Sequence, residues 1–154
     1  ENETYKMFQF EQQNIKEFPV LGKMQYRGYW AGQIYLEAFD CDIDVAVSAK
    51  KEEGVQPEQI QAMAEFLAHV AQIKHLATQP MFDLYATGAF EIDLENFDVW
   101  QDLTVMQVDV SDDTYHVKTG KISIFLIFSS QLEEDFCPAI EVREGKFFQV
   151  LSGT

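Results

Sequence analysis

Along the chain, apolar and polar residues first alternate with a period of two, then recur at helical spacing, then return to a period of two. Met7-Phe8-Gln9-Phe10 makes a short apolar start, and Val20 to Trp30 carries aromatic and β-compatible residues punctuated by Gly22 and Gly28. Gln33 to Phe39 sets Ile34, Leu36 and Ala38 on one face. The cleanest alternation runs from Asp40 to Val47, with Cys41, Ile43, Val45 and Val47 facing one way and Asp40, Asp42 and Asp44 the other. Tyr29-Trp30-Ala31-Gly32-Gln33 is read as a hairpin turn between strands.

The middle of the chain changes period. Pro57 suits a first helical turn, Glu58 lies at its positive end, and Ile60, Met63, Ala64, Leu67, Val70 and Ala71 follow on one stripe. Phe66 and Ile73 widen that stripe, as a helix lying on a sheet requires. The spacing predicts one main helix over about 57–77. Pro80 is expected to end it, leaving a short helical piece through Met81, Leu84 and Tyr85 that stops near Gly88. Phe90 to Glu95 alternates apolar and acidic residues, which suits a strand or an extended arm, and Phe97 to Leu103 suits a helical turn. Strands return at Thr104–Val110, Lys121–Phe128, Pro138–Val142 and Lys146–Leu151, the last two forming a hairpin about Glu144-Gly145. Lys121–Phe128 is apolar on both faces and is expected to be the most buried. With no linker, repeat or low-complexity tract, the expectation is a single domain over 1–154. Its class is α+β: an antiparallel sheet with one main helix packed on it, and strands before and after the helix.

Charge alters this picture. The 154 residues hold 26 Asp and Glu against 11 Lys and Arg, a formal charge of -15, while 13 Phe, 6 Tyr and 2 Trp supply ring surface for a core. The acid is therefore a coat on a folded body rather than a mark of disorder. Nucleic acid and anionic membrane surfaces are excluded as direct partners, because both are bound through Lys and Arg clusters. The longest basic run, Lys50-Lys51, is followed at once by Glu52-Glu53. A basic protein partner is instead attracted and steered. Three acidic groups are the candidate partner-binding residues: Asp40, Asp42 and Asp44; Glu91, Asp93 and Glu95; and Glu133, Glu134 and Asp135. Tyr29, Trp30 and Tyr35 are candidate anchors among them if exposed.

Two cysteines without C-x-x-C spacing, Cys41 and Cys137, suit reduced, buried thiols in a cytoplasmic protein; one disulfide between them stays open. No apolar stretch has the length of a membrane span, and a leader removed before Glu1 would leave no trace. Catalytic patterns are missing. His69 and His75 lie six apart on the helix and face different ways, Glu65 and His69 lack a third ligand, and His116 follows Asp112-Asp113 in a loop. Asp40-x-Asp42-x-Asp44 imitates the opening of a calcium loop, but Val45 and Lys51 stand where that loop needs Gly and Glu. Ser129-Ser130 has no evident base, and no phosphate loop, nucleophile elbow or dinucleotide fingerprint occurs. The expectation is no enzyme, no metal and no cofactor.

Several short motifs carry a resemblance. Val20-Leu21-Gly22-Lys23-Met24-Gln25-Tyr26 followed by Gly28-Tyr29-Trp30-Ala31-Gly32 is similar to the opening of a group of bacterial α+β domains that includes immunity proteins of polymorphic toxin systems. Gln61, Ala64, Phe66 and Leu67 approximate that group's helix, Trp100-Gln101-Asp102-Leu103 its aromatic turn, and Ile122 to Val150 its closing strand, acidic loop and hairpin. The acidic-His-Gly element common in the group is replaced here by Glu134-Asp135-Phe136, so no role of that histidine carries over. The resemblance implies a protein that binds and neutralises a cognate toxin by occlusion, and the acid coat suits a basic, nuclease-like one. Two other classes remain open: a small-ligand-binding protein or enzyme with a motif-less pocket, and a structural or oligomeric scaffold subunit paired through an edge strand.

Overall fold

A computed structural model describes residues 14–113 and 121–153; the apolar start at Met7–Phe10 and His116 lie outside them. The described residues form eight strands in one sheet: β1 (Ile15–Phe18), β2 (Gly22–Tyr26), β3 (Trp30–Leu36), β4 (Cys41–Val47), β5 (Leu103–Val110), β6 (Ser123–Ser130), β7 (Ala139–Arg143) and β8 (Lys146–Leu151). Their spatial order is their chain order. Every neighbouring pair is antiparallel except β4 and β5, which run parallel through Asp44↔Gln107 to Val47↔Val110. Two four-stranded meanders thus meet at one parallel seam, and the chain crosses between them through its helices.

The β4 alternation is realised as read: Ile43, Val45 and Val47 are buried, and Asp42 and Asp44 are exposed. The turn assigned to Tyr29–Gln33 is corrected. Trp30 to Gln33 lie inside β3, where Trp30 pairs with Val47 and Gln33 with Asp44, and the chain reverses earlier, around Gly28. Trp30 is fully buried and Gly32 gives way to Met24: a Cβ there would lie 2.3 Å from the Met24 sulfur. The large ring belonged to the core, and the glycine to close packing.

The helical region also departs from the single helix expected. It comprises α1 (Pro57–Ala68), α2 (Val70–Thr87) and the single turn α3 (Val99–Asp102). The break falls at His69 rather than Pro80. There the backbone N–H donates to the Phe66 carbonyl instead of that of Glu65, and the imidazole Nδ1 donates to the Glu65 carbonyl at 2.8 Å. The ring has taken over the bond that the backbone relinquished. The β7–β8 turn packs on this break: Gly145 has φ +73, and a Cβ would lie 2.9 Å from the Glu65 Cβ. Pro80 is carried inside α2. The carbonyl its missing N–H leaves behind is that of Leu76, a residue on the exposed side of the helix.

The helices cover one sheet face. Met63, Phe66, Ile73, Ala77 and Met81 are buried against a floor that includes Val45, Val108, Leu126 and Ile140. Each large side chain buried there contributes about 1.5–3 kcal/mol. β6 is buried at five of its eight positions, but it is not the most buried strand as expected: β7 is buried at four of five. Among the described residues no helix is long and apolar enough to cross a membrane.

Candidate functional site

Strand direction sorts the loops into two rims. The β1–β2 turn, the β3–β4 link with its short 3-10 turn Glu37–Phe39, the α2–α3–β5 connection and the β6–β7 loop all lie at one end of the strands. At the opposite end are the β2–β3 turn, the start of α1, the described residues that follow β5 and precede β6, and the β7–β8 turn. The opposite rim mixes Arg27, Lys50, Lys51 and Lys121 with Glu52, Glu53, Asp112, Asp113 and Glu144. The first rim carries nine exposed carboxylates: Glu37, Asp40, Glu91, Asp93, Glu95, Asp98, Glu133, Glu134 and Asp135. Its loops contain no Lys or Arg. Lys74 reaches in from α2, but its ammonium donates to the Ala38 carbonyl at 2.8 Å and lies 4.6 Å from the centre of the Phe39 ring. That charge is occupied internally.

Of the three acidic groups singled out in the sequence, two come together on this rim and the first is divided. Asp40 sits at the β3–β4 link in a left-handed conformation, accepting a hydrogen bond from the Tyr35 hydroxyl at 2.6 Å. Asp42 and Asp44 lie on the outer face of β4, where Asp44 accepts from Gln33. Glu91, Asp93 and Glu95 form neither a strand nor an arm. They occupy an irregular connector pinned at both ends, by Phe90 and Phe97, whose rings stack on Tyr85 at 4.9 and 4.7 Å. Asp93 caps its own turn, accepting from the Glu95 N–H and the Asn96 amide. Glu133, Glu134 and Asp135 follow β6 and are exposed.

The framework beneath these acids is a buried network that pattern reading did not find. Asp102, 6% exposed, accepts four hydrogen bonds. The hydroxyls of Tyr85 and Ser130 donate to Oδ2 at 2.6 and 2.5 Å, and the N–H groups of Gln131 and Leu132 donate to Oδ1 at 3.0 and 2.9 Å. One carboxylate thus ties α2, α3 and the first residues of the acidic loop. Burial and the bond to Asp102 push the Tyr85 hydroxyl far above its ordinary range. Both hydroxyl protons are directed at one carboxylate oxygen, which makes Ser130 a donor within this network. Tyr85 also stacks on Phe136, and Phe136 on Phe90, joining the β6–β7 loop to the α2–α3 connector.

Other chemical candidates resolve differently. Cys41 and Cys137 are unpaired and half-buried rather than fully buried; burial, then the charges of Asp42 and Asp40, push the Cys41 thiol up and disfavour a reactive thiolate. Among the described residues no group of His, Cys, Asp and Glu has the arrangement of a metal site. At the carboxyl ends of the parallel pair β4 and β5, where open α/β sheets place ligands, lies a cavity of about 300 Å³ lined by Ser48, Ala49, Gln56, Gln59 and Asp112, among others. Gln59, 1% exposed, donates from Nε2 to the carbonyls of Ser48 and Ser111 and accepts at Oε1 from the Gln56 N–H. On the face away from the helices, Ala31, Gly32 and Ala46 floor a groove of about 610 Å³ edged by Gln25, Arg27, Tyr29, Gln33 and Asp44. Its polar groups largely satisfy one another: Arg27 donates to Gln25, and Gln33 to Asp44.

Comparison with known proteins finds one family, described as a domain of unknown function (DUF6985), which matches residues 20–127, more than two thirds of the chain. That stretch covers β2 to most of β6, including the crossover helices and Asp102. No curated protein and no solved structure matches.

Proposed function

The chain belongs to the DUF6985 family, and from the charge placement on its rim we propose that it is an immunity-type binding protein that neutralises a cognate basic toxin domain in the cytoplasm by occlusion. The observation that carries this reading is the uneven placement of charge: nine exposed carboxylates on one rim, with the nearby Lys74 already engaged. Like charges gathered on one rim repel, and a cationic surface relieves that repulsion. A nuclease domain presents such a surface, because its Lys and Arg bind phosphate. Carboxylates set against those residues occupy the place of the nucleic-acid backbone.

Magnitudes divide the work. An exposed ion pair contributes about 0–1 kcal/mol, so the rim contributes chiefly selection and speed. Charge steering raises association to roughly 10⁸ M⁻¹s⁻¹ at low salt, and salt screens it over about 8–10 Å. The Asp102 network supports the same reading by holding the acidic loops in place before a partner arrives, which lowers the ordering cost of binding.

The test is capture of binding proteins from the native host by the wild-type chain and by a triple variant, Glu91→Lys/Glu133→Lys/Asp135→Lys. The expected outcome is a basic toxin domain held by the wild type, released as salt rises, and lost by the variant. Equal capture of the same protein by both chains, unaffected by salt, would remove the reading.

A further inference from the structure

We propose that the cleft between the end of α2 and the β6–β7 loop is an anchor pocket for one apolar side chain of a cationic amphipathic segment on the partner protein. The inference rests on the reading of the acidic rim as a protein-binding surface and names the feature that turns attraction into tight binding.

The cleft has a volume of about 310 Å³ and is lined by Leu84, Thr87, Gly88, Phe90, Glu133 and Phe136, among others. That volume is at the lower limit of what small-molecule sites offer, and suits a single large side chain. Its walls are fixed. Phe90 folds back over the end of α2 because residue 88 is glycine: a Cβ there would lie 2.8 Å from two Phe90 ring carbons. Phe136 stacks edge-on against Phe90 at 5.1 Å and against Tyr85 at 5.2 Å, and the Tyr85 hydroxyl is anchored on Asp102. The floor is therefore aromatic and preorganised.

The surroundings select the occupant. Glu133 and Asp135 line the cleft itself, and Glu91 follows Phe90 directly. Outside it, Leu94 and Leu132 are about half exposed beside further carboxylates. An apolar slot edged by acid is complementary to an aliphatic or aromatic residue flanked by Lys or Arg, the arrangement of a basic amphipathic helix or loop. It rejects an acidic segment through like-charge contact and a purely polar one through loss of burial. Anchors of this kind, enclosed by charged rims, carry most of the affinity at protein interfaces.

Short fluorescently labelled peptides test this directly. The first alternates Lys and Ser around one central Trp, the second replaces that Trp with Ser, and the third keeps Trp but replaces every Lys with Glu. Anisotropy titrations are run at low salt on the wild type, on Thr87→Trp, which fills the cleft from an exposed helical position, and on Glu133→Gln/Asp135→Asn. The Lys–Trp peptide is expected to bind the wild type about 10- to 100-fold more tightly than its Ser counterpart, as burial of one large apolar side chain predicts. Thr87→Trp should abolish that preference with an unchanged urea midpoint, and Glu133→Gln/Asp135→Asn should weaken both Lys peptides. Equal binding of the two Lys peptides to the wild type would overturn the anchor pocket while leaving the charge reading intact. Equal binding of the Glu peptide would overturn the cationic occupant. Failure of every Lys peptide to bind would overturn the pocket and the acidic-rim reading together.

Discussion

Truncation of Asp102 is the perturbation whose cost can be worked most closely from geometry. Its carboxylate accepts from Tyr85, Ser130, Gln131 and Leu132. Asp102→Ala removes all four acceptor bonds, but two donors have a second partner. The Leu132 N–H also reaches the Ser130 hydroxyl oxygen at 3.1 Å, and the Gln131 N–H reaches the carbonyl of residue 102 at 3.2 Å. The two hydroxyls are the stranded groups, and the Tyr85 side chain lies where water does not reach, 1% exposed. A stranded buried donor costs about 1–3 kcal/mol, so the variant is expected to lose roughly 3–4 kcal/mol once some relaxation at Ser130 is allowed. For a chain of this length that corresponds to a fall in Tm of about 6–16 °C. Urea titrations followed by tryptophan fluorescence measure it, with Trp100 two residues from the site and Trp30 reporting on the far end of β3. Tyr85→Phe alone removes one donor and leaves Asp102 three others, a loss of about 1–2 kcal/mol. In the double variant the stranded Tyr85 hydroxyl no longer exists, so the combined loss should fall short of the sum by about 1–2 kcal/mol. An Asp102→Ala loss below about 1 kcal/mol, or additivity of the two changes to within about 0.5 kcal/mol, would refute the network as the clamp of the acidic loop.

Two further outcomes follow from other parts of the fold. Val20 is β-branched yet has φ 70, in a tight turn where the Leu21 N–H donates to the Pro19 carbonyl at 2.7 Å. Val20→Gly should therefore raise stability by about 0.5–1.5 kcal/mol, the relief of left-handed strain less the added freedom of the unfolded chain, read as a higher urea midpoint; a lower midpoint would contradict the strain. Glu141 is 2% exposed; burial pushes its carboxyl up, but the hydrogen bonds from Gln149, Ser123 and Arg143 and the Arg143 charge outweigh burial and hold it below the ordinary 4.5. A depressed carboxyl binds fewer protons folded than unfolded, so its stabilisation is present above about pH 4.5 and is lost as pH falls through the folded value. Glu141→Gln should be less stable at pH 7 and show a shallower loss of stability below pH 4.5; parallel pH profiles for the two chains would rule this out.

Strands were legible where one face is dry and the other wet. In β4 each aspartate is followed by an apolar residue, and no other period accommodates that run. The closing hairpin was legible from Glu144-Gly145, where both residues adopt positive φ. At Trp30–Gln33 the reading failed because Gly32 resembles a turn residue, although its lack of a side chain serves Met24. At Pro80 it failed because α2 carries a proline in its interior, where the residue whose carbonyl loses its donor, Leu76, lies on the exposed side of the helix. The His69 break was invisible, since it depends on an imidazole competing for a carbonyl and on a turn nearly eighty residues away. For the candidate site, the acidic residues were legible one by one, but their gathering depends on strand direction, which alternation does not encode. Asp102 was not legible at all: its donors come from residues 85, 130, 131 and 132, and nothing in Trp100-Gln101-Asp102-Leu103 distinguishes a buried acceptor from a surface acid.

The parallel seam bears on how the chain acquires its shape. Six of the seven pairings in the described sheet join consecutive strands of opposite direction, several through turns of only two or three residues, and such contacts zip locally and quickly. β4 and β5 can meet only after residues 48–102 have been laid across them, so their pairing is the slow, nonlocal event. Until it happens each half exposes an open edge, β4 on one and β5 on the other, with the rows Val45–Val47 and Val108–Val110 bare. During synthesis the amino-terminal meander emerges first and waits with that valine-rich border uncovered, a period in which joining a neighbouring chain competes with completion of its own.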